Sequence, residues 1–230
     1  MERMQTLDYW IGEFGADLLA LACSLLIIAA YYLLLWLRTR RDASYSIHVV
    51  NDLARKLWVE SVMRDSGKDV MAVQTLRNFI MLGILMVTTT SLLIIGTLTL
   101  SGQEDVLARS WHALNPLGSR SRELLVVKIM LLLADFLVAF FSFLLSIRLA
   151  NHVLFMINIP EETRSAHDAL APERVVARLN RAGRLVAVGV RAYFFAVPLV
   201  FWLFGPAFLV MSTLGLVIAL SRIDRHQAHL

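Results

Sequence analysis

Asp135 places a carboxylate near the centre of a long apolar run, Glu123–Ile147. At that depth a charged side chain costs about 2.5–3.5 kcal/mol to insert into a bilayer, and such residues face a bundle interior. The chemistry this offers is proton or cation handling; the plainer alternative is a hydrogen-bonded packing position. A second apolar run sets Thr88, Thr89, Thr90 and Ser91 at a similar depth, and their hydroxyls are the expected partners of the carboxyl. Lys128 lies seven residues before Asp135, on the same helix face but roughly 10 Å away along the axis. It is therefore expected to snorkel outward rather than pair. Proton relays usually show more than one intramembrane acid, and by this reading Asp135 stands alone.

A second constellation is basic. Gln74, Arg77 and Asn78 open one apolar run, Arg148, Asn151 and His152 close another, and Arg191 and Tyr193 open a third. Alternating spans bring all of them to one membrane depth. Converging guanidiniums with amide donors between them would suit a phosphate or carboxylate, because arginine binds either bidentately. Arg77, Asn78, Arg148, Asn151, His152 and Arg191 are thus the candidate anion site. Ordinary basic flanking of spans is the alternative. If the arginines do converge, Glu60, Asp65 and Asp69 are the internal acids available to relieve their repulsion.

The elements that must position these residues are membrane helices. The chain has 230 residues, 58% of them hydrophobic, against about 45–50% in a soluble domain. The excess is gathered into four runs, about 17–37, 78–100, 123–147 and 192–220. Each is long enough to cross a bilayer as a helix and too continuously apolar for a barrel strand. The first run ends at Arg38-Thr39-Arg40-Arg41 and is preceded by Asp8, Glu13 and Asp17, which reads as a retained span rather than a signal peptide. The expected fold is a single all-α membrane domain of four transmembrane helices with two cytoplasmic amphipathic helices.

Charge orients this arrangement. The loops 38–77 and 148–191 carry fifteen lysines and arginines, against six on the opposite side. The rule that basic loops stay inside makes both long loops cytoplasmic. Both termini and the Ser101–Arg122 loop are then expected outside, and compact loops fit a bacterial inner membrane. Tyr31, Tyr32, Trp36 and Tyr193 fall near inner span ends, and Tyr9 and Trp10 precede the outer end of the first, as aromatic belts do.

Both cytoplasmic loops contain helical stripes. Val49, Val50, Leu53, Leu57, Trp58 and Val62 recur at helical spacing in the first. In the second, a helix starts near Pro172; Val175, Val176, Leu179, Ala182, Val186 and Val190 line one face and Arg174, Arg178, Arg181 and Arg184 the other. These apolar faces either pack together or lie on the lipid surface, with arginines toward anionic headgroups. Small residues every fourth position, Ala16-Ala20-Ser24 and Ser142-Ser146-Ala150, allow close helix approach within the chain or between chains. Pro198 and Gly205-Pro206 are expected to kink the last span.

No enzyme signature is present: there is no HExxH helix, phosphate-binding P-loop or G-x-S-x-G elbow. Cys23 is the only cysteine, so no cysteine-based zinc site exists. His226 and His229 on the tail are weak as a metal pair. No cofactor or metal is implied and nothing points to nucleic acid. The expectation is a non-enzymatic interaction or accessory protein. Its partners are membrane lipids with anionic headgroups and a homo-oligomer or larger membrane complex. The alternative is a small channel or transporter lined by Asp135 and Thr88–Ser91.

Several strings form a recognisable set: Val73-Gln74-Thr75-Leu76-Arg77-Asn78 with Ile80-Met81, Ile147-Arg148 with Asn151-His152 and Pro160, Val190-Arg191-Ala192-Tyr193, and Trp202-Leu203-Phe204-Gly205-Pro206. Together, over about Asn51 to Asp224, they resemble the uncharacterised membrane-protein family catalogued as domain of unknown function 599. The resemblance implies a four-span membrane protein without an agreed activity and supplies no catalytic residues. Its strings fall on Arg77, Asn78, Arg148, Asn151 and Arg191.

Overall fold

The computed structural model describes residues 2–41, 47–102 and 121–224, with side chains of the first helix from residue 14 onward. The described residues are helical throughout, apart from short turns. In order they form α1 (Glu2–Arg41), α2 (Ile47–Arg64), a 3-10 turn (Ser66–Lys68), α3 (Asp69–Ser101) and α4 (Arg122–Ile157). Then follow α5 (Glu161–Ser165), a second 3-10 turn (Asp168–Leu170), α6 (Pro172–Phe204) and α7 (Pro206–Ile223). The His226–His229 pair lies outside the described residues, as does most of the Ser101–Arg122 loop, and the side chains of the predicted Tyr9–Trp10 belt fall before residue 14.

Among the described residues five segments, not four, are long and apolar enough to cross a membrane: Phe14–Arg41, Asp69–Ser101, Arg122–Ile157, Pro172–Phe204 and Pro206–Ile223. The expected last span, 192–220, is two helices. Its first part continues the amphipathic helix from Pro172 without a break, and Pro198 is accommodated inside it. The break comes at Gly205, whose φ of 144° and ψ of 165° belong to a region essentially reserved for glycine. Pro206 then starts α7, where its missing N–H removes nothing from the helix.

The helices group into two compact units. Unit 1 comprises Met1–Tyr45, Leu93–Phe136 and Ala192–Leu230; unit 2 comprises Ser46–Leu92 and Leu137–Arg191.

In unit 1, α7 folds back along the end of α6. Trp202 and Leu199 cluster with Leu209 and Val210, and Phe194 and Phe195 with Leu216 and Val217. That pairing runs antiparallel about Gly205. α1 lies parallel to α7 at constant register: Ala20 packs with Leu209, and Tyr31 with Leu216 and Leu220. The start of α4 completes the core, with Leu132 and Phe136 against Ala196, Leu199 and Ile94. The C-terminal end of α7 therefore lies beside the end of α1, where Tyr31 donates to Asp224 at 2.5 Å. A single last span, the basis for putting both termini on one side, is absent.

In unit 2, the amphipathic faces pack together. Val59, Val62 and Met63 of α2 meet Ala72 and Leu76 of α3, Val153, Met156 and Ile157 of α4, and Val175 and Leu179 of α6. The predicted α2 stripe is only half right. Val62 is buried and Trp58 packs against the core, whereas Val49, Leu53 and Leu57 are exposed. Ser142, Ser146 and Ala150 are buried, and Ser146 donates to the Ala182 carbonyl at 2.9 Å. This small-residue stripe serves packing within the chain.

Candidate functional site

The second half of α4 and the first half of α6 flank an open surface groove of about 460 Å³ in unit 2. Leu145, Arg148, Leu149 and His152 come from α4; Arg178, Arg181 and Leu185 come from α6. Spacings of three, four and seven bring each set onto one helix face. Three guanidiniums and an imidazole thus share a groove with three leucines and no carboxylate.

The arginine row on α6 divides its work. Arg184 pairs with Asp52 at 2.9 Å, and Arg174 with Asp168 at 3.3 Å. Asp52 also pairs with Arg55, whose Nε donates to Asn180 Oδ1 at 2.8 Å, and Asn180 in turn donates to the Asp52 carbonyl at 3.3 Å. That network ties α2 to α6. Arg178 and Arg181, between the paired arginines, meet no carboxylate among the described residues. Nor does Arg148. Arg178 donates instead to the Met156 thioether at 2.7 Å, a weak acceptor.

The predicted ring does not assemble as expected. Arg148 and His152 line the groove; Arg77, Asn78, Asn151 and Arg191 do not. Arg77, Asn78 and Asn151 are exposed on their helices, and Arg191 is half-buried. The three arginines do not stand at one level: Leu76 clusters with Val153 and Gly83 lies against Ile147, which sets Arg77 nearer the end of α4 than Arg148, while Gly189 lies against Phe143, which sets Arg191 nearer its start. Of the acids expected to neutralise the ring, Asp65 is used locally: it accepts from Gly67 N at 3.0 Å and pairs with Lys68 at 3.4 Å.

The Thr88–Ser91 hydroxyls also depart from expectation. Each donates to the carbonyl four residues back on its own helix, at 2.6–3.0 Å. Thr88 and Thr89 are exposed, while Thr90 is buried. Asp135 is half-buried in α4, and its Oδ2 has no hydrogen-bond partner among the described residues.

Lys128 does not snorkel. It is 3% exposed and its ammonium lies 2.7 Å from the carboxylate of Asp17, which is fully buried. The same ammonium donates to the Trp202 carbonyl at 3.2 Å, and Trp202 Nε1 donates to Asp17 Oδ1 at 2.8 Å. Trp202 is in the last turn of α6, where helix carbonyls lack intrahelical donors and a cation complements the helix dipole. The three residues bind α1, α4 and α6 into one clamp. Asp135 is therefore not the sole acid within the apolar helices; Asp17 joins it.

The sequence model of a family described as "Protein of unknown function, DUF599" matches residues 19–229. The chain belongs to this family. No match is found among curated proteins or among solved structures.

For this DUF599 chain the family description supplies no activity, so its site rests on the groove and the clamp alone. Arg178 and Arg181 stood in the predicted polar face, but their partnership with Arg148 and His152 was missed. The signal was present: Leu145, Arg148, Leu149 and His152 repeat the spacing of Arg178, Arg181 and Leu185 on the helix that packs beside them. Arg164 gave no such signal. It is buried and donates to the Met63 carbonyl at 3.3 Å, a role visible only once α5 is placed.

Proposed function

We propose that this chain is a non-enzymatic integral membrane protein that holds the phosphate of an anionic lipid headgroup in the α4–α6 groove of unit 2. The observation that carries this reading is the grouping of Arg148, Arg178, Arg181 and His152 with no carboxylate among them. Three neighbouring guanidiniums repel one another, and a bound anion relieves that repulsion. Arginine's planar fork matches phosphate oxygens in pairs. The leucine floor supports a lipid rather than a free anion, since Leu145, Leu149 and Leu185 offer apolar surface beside the charge. The exposed Val49, Leu53 and Leu57 of α2 fit a helix lying against a membrane surface. Assembly through that surface, with itself or with a larger complex, is the accessory role we infer.

The hairpin at Gly205 supports a revised topology with the N-terminus outside and the C-terminus inside a membrane such as the bacterial inner membrane. Arg222 and Arg225 then join the fifteen inner basic residues, leaving Arg3, Arg109, Arg120 and Arg122 outside. The charge asymmetry that orients membrane proteins is larger in this arrangement than with both termini outside.

Native mass spectrometry of the protein released from mixed-lipid vesicles tests the lipid reading. Anionic phospholipid adducts should exceed zwitterionic ones for the wild type. Each basic residue near an anionic surface contributes about 1 kcal/mol, so the double variant Arg178→Ala, Arg181→Ala should weaken binding by about thirtyfold. Equal retention of both lipid classes, or an unchanged double variant, refutes the reading.

A further inference from the structure

One face of α1, buried as far as Tyr31, carries a second, independent pattern. Asp17, Ser24, Tyr31 and Arg38 follow one another at intervals of seven. Seven residues make about two turns, so all four lie along one face at steps of roughly 10 Å. Asp17 is held by Lys128, and Tyr31 is bonded to Asp224. Between them lies Ser24, which is 3% exposed and whose Oγ has no hydrogen-bond partner among the described residues.

The same step on α4 leads from Lys128 to Asp135. Both α1 and α4 run antiparallel to α6: from Trp202 back to Leu199, α1 advances from Asp17 to Leu21, and from Trp202 back to Ala196, α4 advances from Lys128 to Phe136. The two helices are therefore parallel and in register at Asp17–Lys128. Two turns further on, Ser24 and Asp135 share one level. Both present a buried oxygen without a partner, Ser24 Oγ and Asp135 Oδ2. The α1–α7 register, Ala20 with Leu209 and Tyr31 with Leu220, adds Thr213 at that level. Thr213 is fully buried; its hydroxyl donates to the Leu209 carbonyl at 2.7 Å, which leaves its oxygen able to accept.

We propose that Asp135, Ser24 and Thr213 form a site for a monovalent cation, a proton or Na⁺, buried midway along unit 1. A carboxylate and two hydroxyls supply the hard oxygen donors such a cation prefers. A carboxyl oxygen left unbonded in an apolar helix is costly, and a cation removes that cost. The charged and titratable groups around the site are few. α1 brings Asp17, Tyr31 and Arg38, α4 brings Lys128, α7 brings Asp224 and Arg222, and α6 brings Tyr193; residues 93–101 of α3 bring none. Asp17 is matched by Lys128, which leaves Asp135 to carry the cation.

Labelling of Asp135 by a hydrophobic carbodiimide in reconstituted vesicles, read by peptide mass spectrometry, tests this. The reagent attacks protonated carboxyls within the bilayer. For a Na⁺ site, saturating Na⁺ slows labelling about tenfold relative to choline at the same ionic strength, and Ser24→Ala raises the Na⁺ concentration needed by about tenfold, the effect of losing one hydrogen bond or ligand of about 1.4 kcal/mol. For a proton site, Na⁺ has no effect but Ser24→Ala moves the pH midpoint of labelling by about one unit. Thr213→Val provides a second variant should Ser24→Ala misfold. Labelling that responds to neither Na⁺ nor the hydroxyl variants overturns the proposal. So does no labelling of Asp135 at any pH while other carboxyls in the same sample react.

Discussion

Removing one half of the Asp17–Lys128 pair should be among the costliest single side-chain changes in unit 1. Asp17 is fully buried and Lys128 3% exposed, with 2.7 Å between their charged atoms. In Lys128→Met the apolar stem is kept, but Asp17 loses its counter-charge and the Trp202 carbonyl loses a donor. Breaking a buried pair from one side costs about 3–5 kcal/mol. For a chain of this length that lowers the melting temperature by about 6–20 °C. Asp17→Asn should cost less, because the amide oxygen still accepts from Trp202 Nε1, yet it strands the ammonium. The double variant Asp17→Asn, Lys128→Met has no buried charge left to strand and should be more stable than the sum of the singles by about 2 kcal/mol, within the usual range for touching residues. Thermal unfolding of all four proteins in one detergent measures this cycle. Singles that each cost under about 1 kcal/mol, or strict additivity, would show that the pair does not hold α1, α4 and α6 together.

Gly189→Ala sets a Cβ 2.6–2.9 Å from the Phe143 ring, so it should cost about 1–3 kcal/mol by overpacking, read as a fall in melting temperature. Gly205→Ala meets no tolerated backbone region at φ 144° and should cost about 1–3 kcal/mol, with the α6–α7 hairpin the first part to gain hydrogen exchange. A reporter fused after Leu230 should be active only if it works in the cytoplasm; activity of a strictly periplasmic reporter there would return the C-terminus to the outside.

The helical membrane class was legible because apolar length alone carries it; the number of helices was not. Hydropathy runs unbroken across Gly205, since a residue reserved for one backbone region leaves no mark on an apolar average. The same average hid Asp17, which at the head of a run looks like a boundary residue and proves to be core. Counting spans put Arg77, Arg148 and Arg191 at one level, but Gly83 lies against Ile147 and Gly189 against Phe143, so the three stand at different heights along α4; span counting fixes neither the register between helices nor the face. The stripes on α2 and α6 were read from period, and Val175, Leu179 and Ala182 are indeed buried. Val49, Leu53 and Leu57 are not, because their helix face meets none of the other described helices in unit 2. The partnership of Arg148 with Arg178 and Arg181 needs α4 and α6 side by side, which no local pattern supplies.

The lipid groove is tested most directly by a photoreactive anionic phospholipid, with the reactive group near the phosphate, added to the protein in vesicles and mapped by peptide mass spectrometry. The groove account predicts crosslinks concentrated on residues 145–152 and 178–185, lost when unlabelled anionic lipid competes and when Arg178 and Arg181 are both alanine. Crosslinks spread evenly over the exposed leucines of all helices, or equal labelling by a zwitterionic analogue, would contradict it.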